Sequence, residues 1–401
     1  MDTDYIEKFK KNGFGLFCHY GLYSVYGKGE WALSTGKIDR AEYNALKEVF
    51  HTRKEWAKEL VGTAKAAGCK YITLTTRHHD GFSLYDTRGL NEFDAPHSAC
   101  GRDLIAEFVE ECVRNGMQPF FYHTLLDWYN RDYEENFTAY LDYLVESVEI
   151  LCRNYGKVGG FWFDGMWDRP HADWQENRLY GTIRKYQPEA MIINNTGLNA
   201  LGEVGHPEID SVTFERGQPF AVNCTDKARA GEVCEGITDH WGYTGEDICI
   251  KSAKEIISTL IDCRKNGCNL LLNTGLKGDG IIPEGEKACL HGIGKWIRKN
   301  SDAVYEVYPS DIDAENAEML TDGKCYYAIL RNVPMVWNQN VTRHEDAQRV
   351  KIFTERRIAE ATWLDTGEKI EVDENRSFAV KPFDYGVSLF ARVAKICLKK
   401  E

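Results

Sequence analysis

Two acidic residues, Asp164 in GFWFDG and Glu215 in SVTFERG, each stand at the end of a short apolar run. Burying an unpaired carboxylate costs several kcal/mol, so a carboxylate beside Trp162 and Phe163 is expected to be used or paired. Hydrolysis of a glycosidic bond needs two such groups, one as nucleophile or base and the other as acid. The pair therefore indicates glycoside hydrolysis, provided that the fold brings the two side chains together.

Other apolar runs of the chain also end in polar side chains. A barrel of parallel strands would gather them at the C-terminal end of the sheet, where such folds keep their active sites. Aromatic residues could add flat faces for sugar rings, although we expect about half of them to lie in the core. The polar strand ends are His19, Arg77 to Asp80, Tyr122 with His123, Asn194 with Asn195, and Asn273, and the aromatic candidates are Trp31, Tyr122, Trp128, Trp162, Trp167 and Trp241.

A metal-dependent hydrolase is an alternative, because His19, His78, His79 and Asp164 include common metal ligands. His78 and His79 are adjacent, however, so in an extended strand their side chains point to opposite faces and cannot easily bind one ion. The first strand also carries no His-x-His pair. We therefore expect no metal.

The elements that must position these residues follow one repeated unit, an amphipathic helix, a glycine or proline stop, and a short apolar strand. KEWAKELVGTAKAAG precedes CKYITLTT in this way, and DLIAEFVEECVRNG precedes MQPFFYH. Asp103 and the Ser252 to Glu255 capping box predict helix starts. Seven strands can be identified, and an eighth is expected between Ala221 and Tyr243. The pattern predicts a (β/α)₈ TIM-like barrel, and no Gly-x-Gly-x-x-Gly follows the first strand to favour a dinucleotide-binding sheet.

The pattern changes after about Tyr305. KCYYAILRN, QRVKIFT, EATWLD and IEVD alternate with period two, and turn residues such as Asp365-Thr366-Gly367 separate them. This pattern is typical of an antiparallel β-sandwich. We predict a catalytic (β/α)₈-like barrel at residues 1–304 and a C-terminal β-sandwich domain at residues 305–401.

Charge and composition exclude several partners. The chain has 401 residues and a formal net charge of -13, with no long basic cluster, so nucleic acid is not an expected partner. No run approaches the ~20 apolar residues that a membrane helix needs, and no membrane partner is expected. The start, MDTDYIEKFKKNGFG, lacks the pattern of an export signal, and the 13 cysteines are scattered. We expect free thiols and a cytoplasmic location.

Six segments spread over the predicted barrel share one resemblance. They are FGLFCHYGLYSVYGKGEW (14–31), YITLTTRHHDGFSLYDT (71–87), FYHTLLDW (121–128), GFWFDGMW (160–167), EVCEGITDHWGY (232–243) and NGCNLLLNTGLKGDGIIPE (266–284). Together and in this order they resemble the α-L-fucosidases of glycoside hydrolase family 29. The resemblance implies a retaining exo-hydrolase of terminal α-L-fucose without a cofactor, acting on fucosylated oligosaccharides or glycoconjugates. It also implies a barrel followed by a β-sandwich.

The resemblance also assigns roles by position. Asp164 matches the nucleophile. Phe17 and Trp241 match the walls around the C5 methyl group, which distinguishes fucose from galactose. The positions that match the lining of the fucose pocket are His19, Glu30, Trp31, His78, His79, Tyr122 and Trp162.

The general acid/base is less well assigned, because its sequence position varies across the family. Glu215 lies 51 residues after Asp164 and matches the acid/base of one branch. Glu232 aligns with the glutamate of the family's Trp-Glu segment, although Gly231 precedes it here. We favour Glu215, because it directly ends an apolar strand and so projects from the rim.

Two other functions stay open from the sequence. One is hydrolysis of a related sugar such as an α-L-galactoside, which carries a hydroxymethyl group where fucose has a methyl. The other is a catalytically silent fucose-binding protein on the same scaffold. Retention of both carboxylates argues against the second, since binding alone requires neither. The sequence does not specify linkage preference, natural aglycone, transglycosylation or oligomeric state.

Overall fold

A closed barrel of eight parallel strands in chain order forms the N-terminal part of the computed structural model, which describes residues 4–196, 200–336 and 348–399. This confirms the predicted fold class. The eighth strand of the prediction is present within the expected range, as the seventh in chain order. The strands are β1 (Phe14–His19), β2 (Tyr71–Arg77), β3 (Gln118–Thr124), β4 (Gly160–Asp164), β5 (Met191–Asn194), β6 (Ser211–Glu215), β7 (Ala230–Gly236) and β8 (Cys268–Gly275).

Two helices begin at the N-caps that the sequence predicts. The side chain of Asp103 accepts a hydrogen bond from the Ala106 N–H, and Ser252 and Glu255 form the predicted capping box. None of the described helices is both long and apolar enough to cross a membrane. The helices are α1 (Asp4–Asn12), α2 (Leu22–Tyr26), α3 (Arg40–Ala45), α4 (Trp56–Ala67), α5 (Leu104–Asn115), α6 (Asp132–Glu135), α7 (Phe137–Asn154), α8 (Glu176–Tyr186), α9 (Ala253–Lys265) and α10 (Glu284–Asn300).

Two connections of the barrel depart from the regular unit. Between β5 and β6, and between β6 and β7, the described residues contain no helix. The repeated unit of helix and strand is therefore interrupted here, and the barrel is (β/α)₈-like, as predicted. These connections follow the strands that end in Asn194 and Glu215, so irregular chain surrounds this side of the barrel mouth.

The barrel interior changes from apolar to polar along the strands. Phe17, Tyr122, Trp162 and Leu271 belong to one buried cluster inside the sheet, and Phe9 of α1 joins it at the N-terminal end. The ring of Phe9 lies 5.3 Å from that of Tyr71. Since α1 closes this end, the polar residues at the strand C-termini can be reached only from the opposite end.

The C-terminal part consists of two antiparallel sheets, as predicted. One contains β10, β13 and β15, and the other contains β14, β16, β12, β11 and β9. The indole of Trp296 on α10 donates to the Ala391 carbonyl over 2.8 Å, so the sandwich packs on the barrel. IEVD at 370–373 is not a strand, and the 304/305 boundary stays a prediction. The strands are β9 (Tyr308–Pro309), β10 (Asp313–Glu315), β11 (Glu318–Thr321), β12 (Tyr326–Leu330), β13 (Arg349–Phe353), β14 (Ile358–Trp363), β15 (Ser377–Ala379) and β16 (Arg392–Leu398).

The cysteine prediction is wrong for one pair. Cys325 and Cys397 form a disulfide, while the other cysteines are free. Tyr326 of β12 pairs with Ile396 of β16, so the antiparallel register brings the two cysteines next to them within 4.4 Å between Cα atoms. They are 72 residues apart in sequence, which is why spacing did not reveal them. The cytoplasmic location stays a prediction.

Candidate active site

A narrow cavity opens at the C-terminal end of the barrel strands and encloses about 470 Å³ of space, its mouth included. Its lining contains every predicted site residue except Glu30 and Glu232. It also contains Trp167, which was predicted only as one of several aromatic candidates, and Cys234, which was not predicted. The lining residues are Phe17, His19, Trp31, His78, His79, Tyr122, Trp162, Asp164, Trp167, Glu215, Cys234 and Trp241.

Asp164 ends β4, and its carboxylate is surrounded by polar groups. The Trp167 indole donates to Oδ1 over 2.9 Å, and the Tyr122 hydroxyl donates to Oδ2 over 3.2 Å. Nε2 of His79 lies 3.5 Å from Oδ2. Burial acts to raise the pKa of Asp164, but the contact with His79 and the Trp167 hydrogen bond outweigh it, so this pKa lies below its usual value. Asp164 is therefore ionised at neutral pH, as a nucleophile must be.

Glu215 ends β6 and has the opposite electrostatic character. Burial, followed by the nearby charge of Asp164, raises the pKa of Glu215 to about 7, although a hydrogen bond from Asn195 opposes the shift. A carboxyl group with this pKa keeps its proton at mildly acidic to neutral pH. Two carboxyl groups whose pKa values are pushed apart are typical of an acid and its ionised partner, and the raised pKa of Glu215 suits the acid.

The two carboxyl groups are connected through Asn195. Its Nδ2 atom lies 3.4 Å from Oδ1 of Asp164 and 2.6 Å from Oε2 of Glu215. Because both distances share one nitrogen, these two oxygens are at most about 6 Å apart, which is compatible with the ~5 to 5.5 Å between the carboxyl groups of retaining pairs. The separation agrees with a retaining pair.

His19 ends β1 and presents one nitrogen to the cavity as an acceptor. Its Nδ1 lies 2.6 Å from Oδ1 of Asn273, whose amide nitrogen donates to the Trp241 carbonyl. The amide oxygen of Asn273 therefore faces His19, and Nδ1 carries the proton. Burial lowers the pKa of His19 to about 4, so the ring is neutral at neutral pH. Nε2 is then free to accept a hydrogen bond from a sugar hydroxyl.

His78 and His79 follow β2 and both line the cavity, although an extended strand would separate them. The strand ends at Arg77, so the two rings turn toward the same space, with centroids 4.2 Å apart. Nδ1 of His79 lies 2.7 Å from Oγ1 of Thr124, whose hydroxyl donates to the Leu126 carbonyl, so this nitrogen donates. Nδ1 of His78 is buried and has no partner among the described residues.

Aromatic rings form the apolar part of the cavity. Trp162 of β4 stacks on Tyr122, with ring centroids 5.7 Å apart, and lies 5.1 Å from Phe17. Trp241 stacks on His19 at 5.7 Å and lies 6.2 Å from Phe17. Phe17 and Trp241 therefore meet at one side of the cavity, where the resemblance places the wall around the C5 methyl group.

Trp167 is a site residue that sequence reasoning listed as an aromatic candidate but did not assign to the site. It lies three residues after Asp164, and Gly165 between them adopts a φ of 99°, which favours glycine. A Cβ at Gly165 would lie 2.7 Å from Cβ of Leu126. Gly165 in FDGMW could have indicated a tight turn, and this turn brings the Trp167 indole back to the Asp164 carboxylate. At the mouth, the ring of Trp31 lies 5.8 Å from that of Trp167.

Glu30 lies beside the cavity and not in its lining. Its side chain is buried, and Oε2 accepts a hydrogen bond of 2.7 Å from the Gly242 N–H. Glu30 thus anchors the segment that carries Trp241. Its direct contact with a sugar hydroxyl stays a prediction.

Glu232, the alternative acid/base, lies inside the barrel below the cavity. In the ladder between β6 and β7, Glu215 pairs with Cys234, and Glu232 pairs with Thr213. Glu232 is therefore two residues, roughly 7 Å, deeper than the rim position. Its carboxyl accepts hydrogen bonds from the Tyr71 hydroxyl and, over 3.0 Å, from the Trp162 indole. The structure brings Glu215, and not Glu232, to the cavity beside Asp164.

The residues considered as metal ligands are used differently. His19 and His79 each direct Nδ1 to a protein oxygen, and His78 stacks on Tyr122 with centroids 5.5 Å apart. In the described ranges, the one cluster of potential ligands is Asp239, Asp247 and Cys249, which is not part of the cavity lining. The expectation of no metal and no cofactor stays a prediction.

Comparison with known proteins places this arrangement in a family. The sequence model of the family "Alpha-L-fucosidase" matches residues 2–302. Tissue alpha-L-fucosidase of Bos taurus is 27% identical over 369 residues, which cover 81% of this chain and 75% of that protein. The structure of alpha-L-fucosidase isoenzyme 1 from Paenibacillus thiaminolyticus is 28% identical, covers 99% of both chains and has a TM-score of 0.86.

A further solved structure shares the fold. An alpha-L-fucosidase of glycoside hydrolase family 29 from Bacteroides thetaiotaomicron, trapped as a covalent intermediate with 2-fluoro-fucosyl fluoride, is 24% identical with a TM-score of 0.84. The match covers 100% of this chain and 97% of that one. The family match spans the whole barrel that carries the two carboxyl groups, and the chain belongs to the α-L-fucosidase family of glycoside hydrolases.

Proposed function

We propose that this protein is a retaining exo-α-L-fucosidase that releases terminal α-L-fucose from fucosylated oligosaccharides or glycoconjugates through a fucosyl-enzyme intermediate. The observation that carries the proposal is the pair of carboxyl groups joined through Asn195, with Asp164 ionised and Glu215 able to hold a proton. The family membership supports fucose as the sugar.

The first step forms the intermediate. A carboxylate oxygen of Asp164 attacks the anomeric carbon, and the bond between that carbon and the glycosidic oxygen breaks. Glu215 gives its proton to the departing oxygen, so the aglycone leaves as a neutral alcohol. In the second step Glu215, now ionised, takes a proton from water, whose oxygen attacks the anomeric carbon and releases Asp164. Two inversions restore the α configuration.

The lining explains how one sugar unit would be held. His19 offers a neutral acceptor nitrogen, and His78 has an unpartnered buried nitrogen, so both suit sugar hydroxyls. Phe17 and Trp241 supply an apolar face, which suits a methyl substituent better than a hydroxymethyl group. The α1 end of the barrel is closed by Phe9 and its neighbours, so the cavity accepts only the end of a glycan.

The proposal is tested by following hydrolysis of an aryl α-L-fucoside by proton NMR. We expect α-L-fucose as the first-formed product, before mutarotation. Glu215→Ala should lose far more kcat/KM on fucosyl disaccharides than on an activated aryl fucoside, and added azide should restore turnover by giving α-fucosyl azide. First-formed β-L-fucose would contradict the retaining mechanism.

The same assay separates the alternatives. A silent fucose-binding protein would bind fucose, visible by calorimetry, and release no aryl group. A hydrolase of α-L-galactosides would show a higher kcat/KM on the aryl α-L-galactoside than on the fucoside, whereas we expect the reverse. A panel of α1,2, α1,3, α1,4 and α1,6 linked substrates would then define the linkage preference.

A further inference from the structure

We propose that Asn195, oriented by Thr213, is a positioning residue that directs the acidic proton of Glu215 to its Oε1 atom. This inference rests on the proposed function, in which Glu215 is the acid/base. It adds two residues to the machinery of the reaction and states which carboxyl oxygen delivers the proton.

Three hydrogen bonds connect residues at or near the ends of β4, β5 and β6. The Thr213 hydroxyl donates to Oδ1 of Asn195 over 2.9 Å. Nδ2 of Asn195 donates to Oε2 of Glu215 over 2.6 Å and lies 3.4 Å from Oδ1 of Asp164. Asn195 is 1% exposed, so water does not compete strongly for these contacts.

The orientation of the Asn195 amide follows from its neighbours. Its nitrogen faces two carboxyl groups, one of which, Asp164, must be ionised to act as nucleophile. A reversed amide would place its carbonyl oxygen against that carboxylate, which is repulsive in a buried site. The Thr213 hydroxyl donates to the other end of the amide and favours the same orientation.

The amide orientation determines where the proton of Glu215 sits. Nδ2 directs an N–H toward Oε2, so a proton on Oε2 in the same direction would collide with it. The proton therefore occupies Oε1, the carboxyl oxygen to which Asn195 does not donate. The same N–H stabilises the ionised form of Glu215 after proton transfer, when this residue must act as base.

Other groups also act on the ionisation of Glu215. Asp164 and Glu30 raise its pKa, whereas Asn195 and Arg216 lower it. Removal of the Asn195 donor should therefore raise this pKa further. The titratable or charged groups that face Glu215 are Glu30 after β1, Tyr122 on β3, Asp164 on β4, Arg216 after β6 and Cys234 on β7.

The test compares Thr213→Val and Asn195→Ala with wild type. Valine keeps the shape of Thr213 but cannot donate, so only the repulsion from Asp164 then opposes a reversed amide, which would accept the proton of Glu215 at Oε2. For both variants we expect kcat/KM on a fucosyl disaccharide to fall on the order of tenfold or more, with a much smaller loss on an activated aryl fucoside. The alkaline limb of the pH profile should also move to higher pH.

Matched variants separate this effect from a general loss of packing. Thr213→Ser keeps the donor and should restore the wild-type profile. Thr73→Val removes a buried hydroxyl that has no hydrogen-bond partner in the described part of the chain. Asn194→Ala removes the neighbouring amide, whose nitrogen donates to the Tyr180 hydroxyl. Both should keep the wild-type pH profile and leaving-group dependence.

The outcomes distinguish the two proposals. Wild-type protein that releases no fucose would contradict the proposed function itself. Active wild type, together with Thr213→Val and Asn195→Ala variants whose pH profiles and leaving-group dependence equal those of wild type, would overturn the role of Asn195. If Asn195→Ala does not fold, the comparison of Thr213→Val with Thr213→Ser decides alone.

Discussion

The indole nitrogen of Trp162 donates a hydrogen bond of 3.0 Å to Oε1 of Glu232, one layer below the cavity. Tyr71 donates to the other oxygen of the same carboxyl group. Glu232 therefore holds a ring of the cavity lining, and its own carboxyl group is not part of that lining. We predict that this glutamate, which aligns with a family segment, acts through Trp162 and not as the acid/base.

Glu232→Ala should weaken folding and substrate binding without changing leaving-group dependence. The substitution leaves the Trp162 N–H and the Tyr71 hydroxyl buried without acceptors, which should cost about 2 to 4 kcal/mol of unfolding free energy. Urea unfolding measures the loss, and kcat/KM for aryl fucosides of differing leaving-group pKa measures the chemistry. Rescue of Glu232→Ala by azide would contradict this assignment and identify Glu232 as the acid/base.

The charge of Glu232 should make stability depend on pH. Burial raises the pKa of Glu232 to about 7 from an ordinary 4.5. Below pH 4.5 the carboxyl group of Glu232 is protonated in both the folded and the unfolded chain, so its ionisation does not reduce the free energy of unfolding. As pH rises toward 7 only the unfolded chain releases the proton, and roughly 3 kcal/mol is lost by the time the folded group also ionises. Glu232→Gln should reduce the fall in Tm between pH 5 and 8, whereas an equal fall in both proteins would refute the assignment.

The pH profile of kcat/KM should fall on the alkaline side near pH 7. Glu215 must be protonated to act as acid, and burial beside Asp164 raises its pKa to about 7, so activity is lost as pH rises through that value. Asp164 must be ionised, and its pKa lies below the usual 3.8, so the acidic limb lies at still lower pH. Stopped assays on an aryl α-L-fucoside, with stability checked at each pH, measure both limbs. An alkaline limb unchanged in Glu215→Gln would assign that limb to another group.

Asp164→Gly should lower kcat on the order of 10⁴-fold or more, because the covalent step is lost. Azide can then enter the vacated space and attack the anomeric carbon. This single displacement inverts the α configuration and gives β-fucosyl azide. Product configuration by NMR distinguishes this outcome from the α-azide expected for the Glu215 variant. The matched control is Asp168→Asn. Asp168 lies four residues after Asp164, and its carboxylate accepts a hydrogen bond from the Tyr133 hydroxyl. It is not part of the cavity lining, so this variant should keep activity.

The wall formed by Phe17 and Trp241 should set the preference for fucose over α-L-galactose. Phe17→Leu makes room for a hydroxymethyl group, so the ratio of kcat/KM on the fucoside to that on the galactoside should fall by roughly 10-fold or more. Both substrates are measured on the same variant, which cancels losses of folding. If the ratio of the two kcat/KM values did not change, the C5 substituent of the sugar would not contact the wall formed by Phe17 and Trp241.

Much of the fold and site follows from local sequence. The apolar runs that end in Asp164 and Glu215 are strands because they are short, rich in aromatic and branched residues, and followed closely by a glycine. Because parallel strands of a barrel end at the same rim, the sequence alone predicts that the two carboxyl groups lie near each other. The disulfide between Cys325 and Cys397 could not be predicted in this way, because it depends on the register of two strands distant in sequence.

The sequence by itself determined most of the side chains that reach the mouth of the barrel, since the positions at which apolar strands end are local properties of the chain. The tertiary structure alone decided how deep each side chain lies in the barrel and which groups it contacts. The register of β7 against β6 sets Glu232 below the floor and Glu215 at the rim, and the turn at Gly165 returns Trp167 to Asp164. Neighbouring strands also bring Asn195 between two carboxyl groups that are 51 residues apart. The protonation of each carboxyl group depends on burial and on neighbours from other strands, which no local pattern encodes.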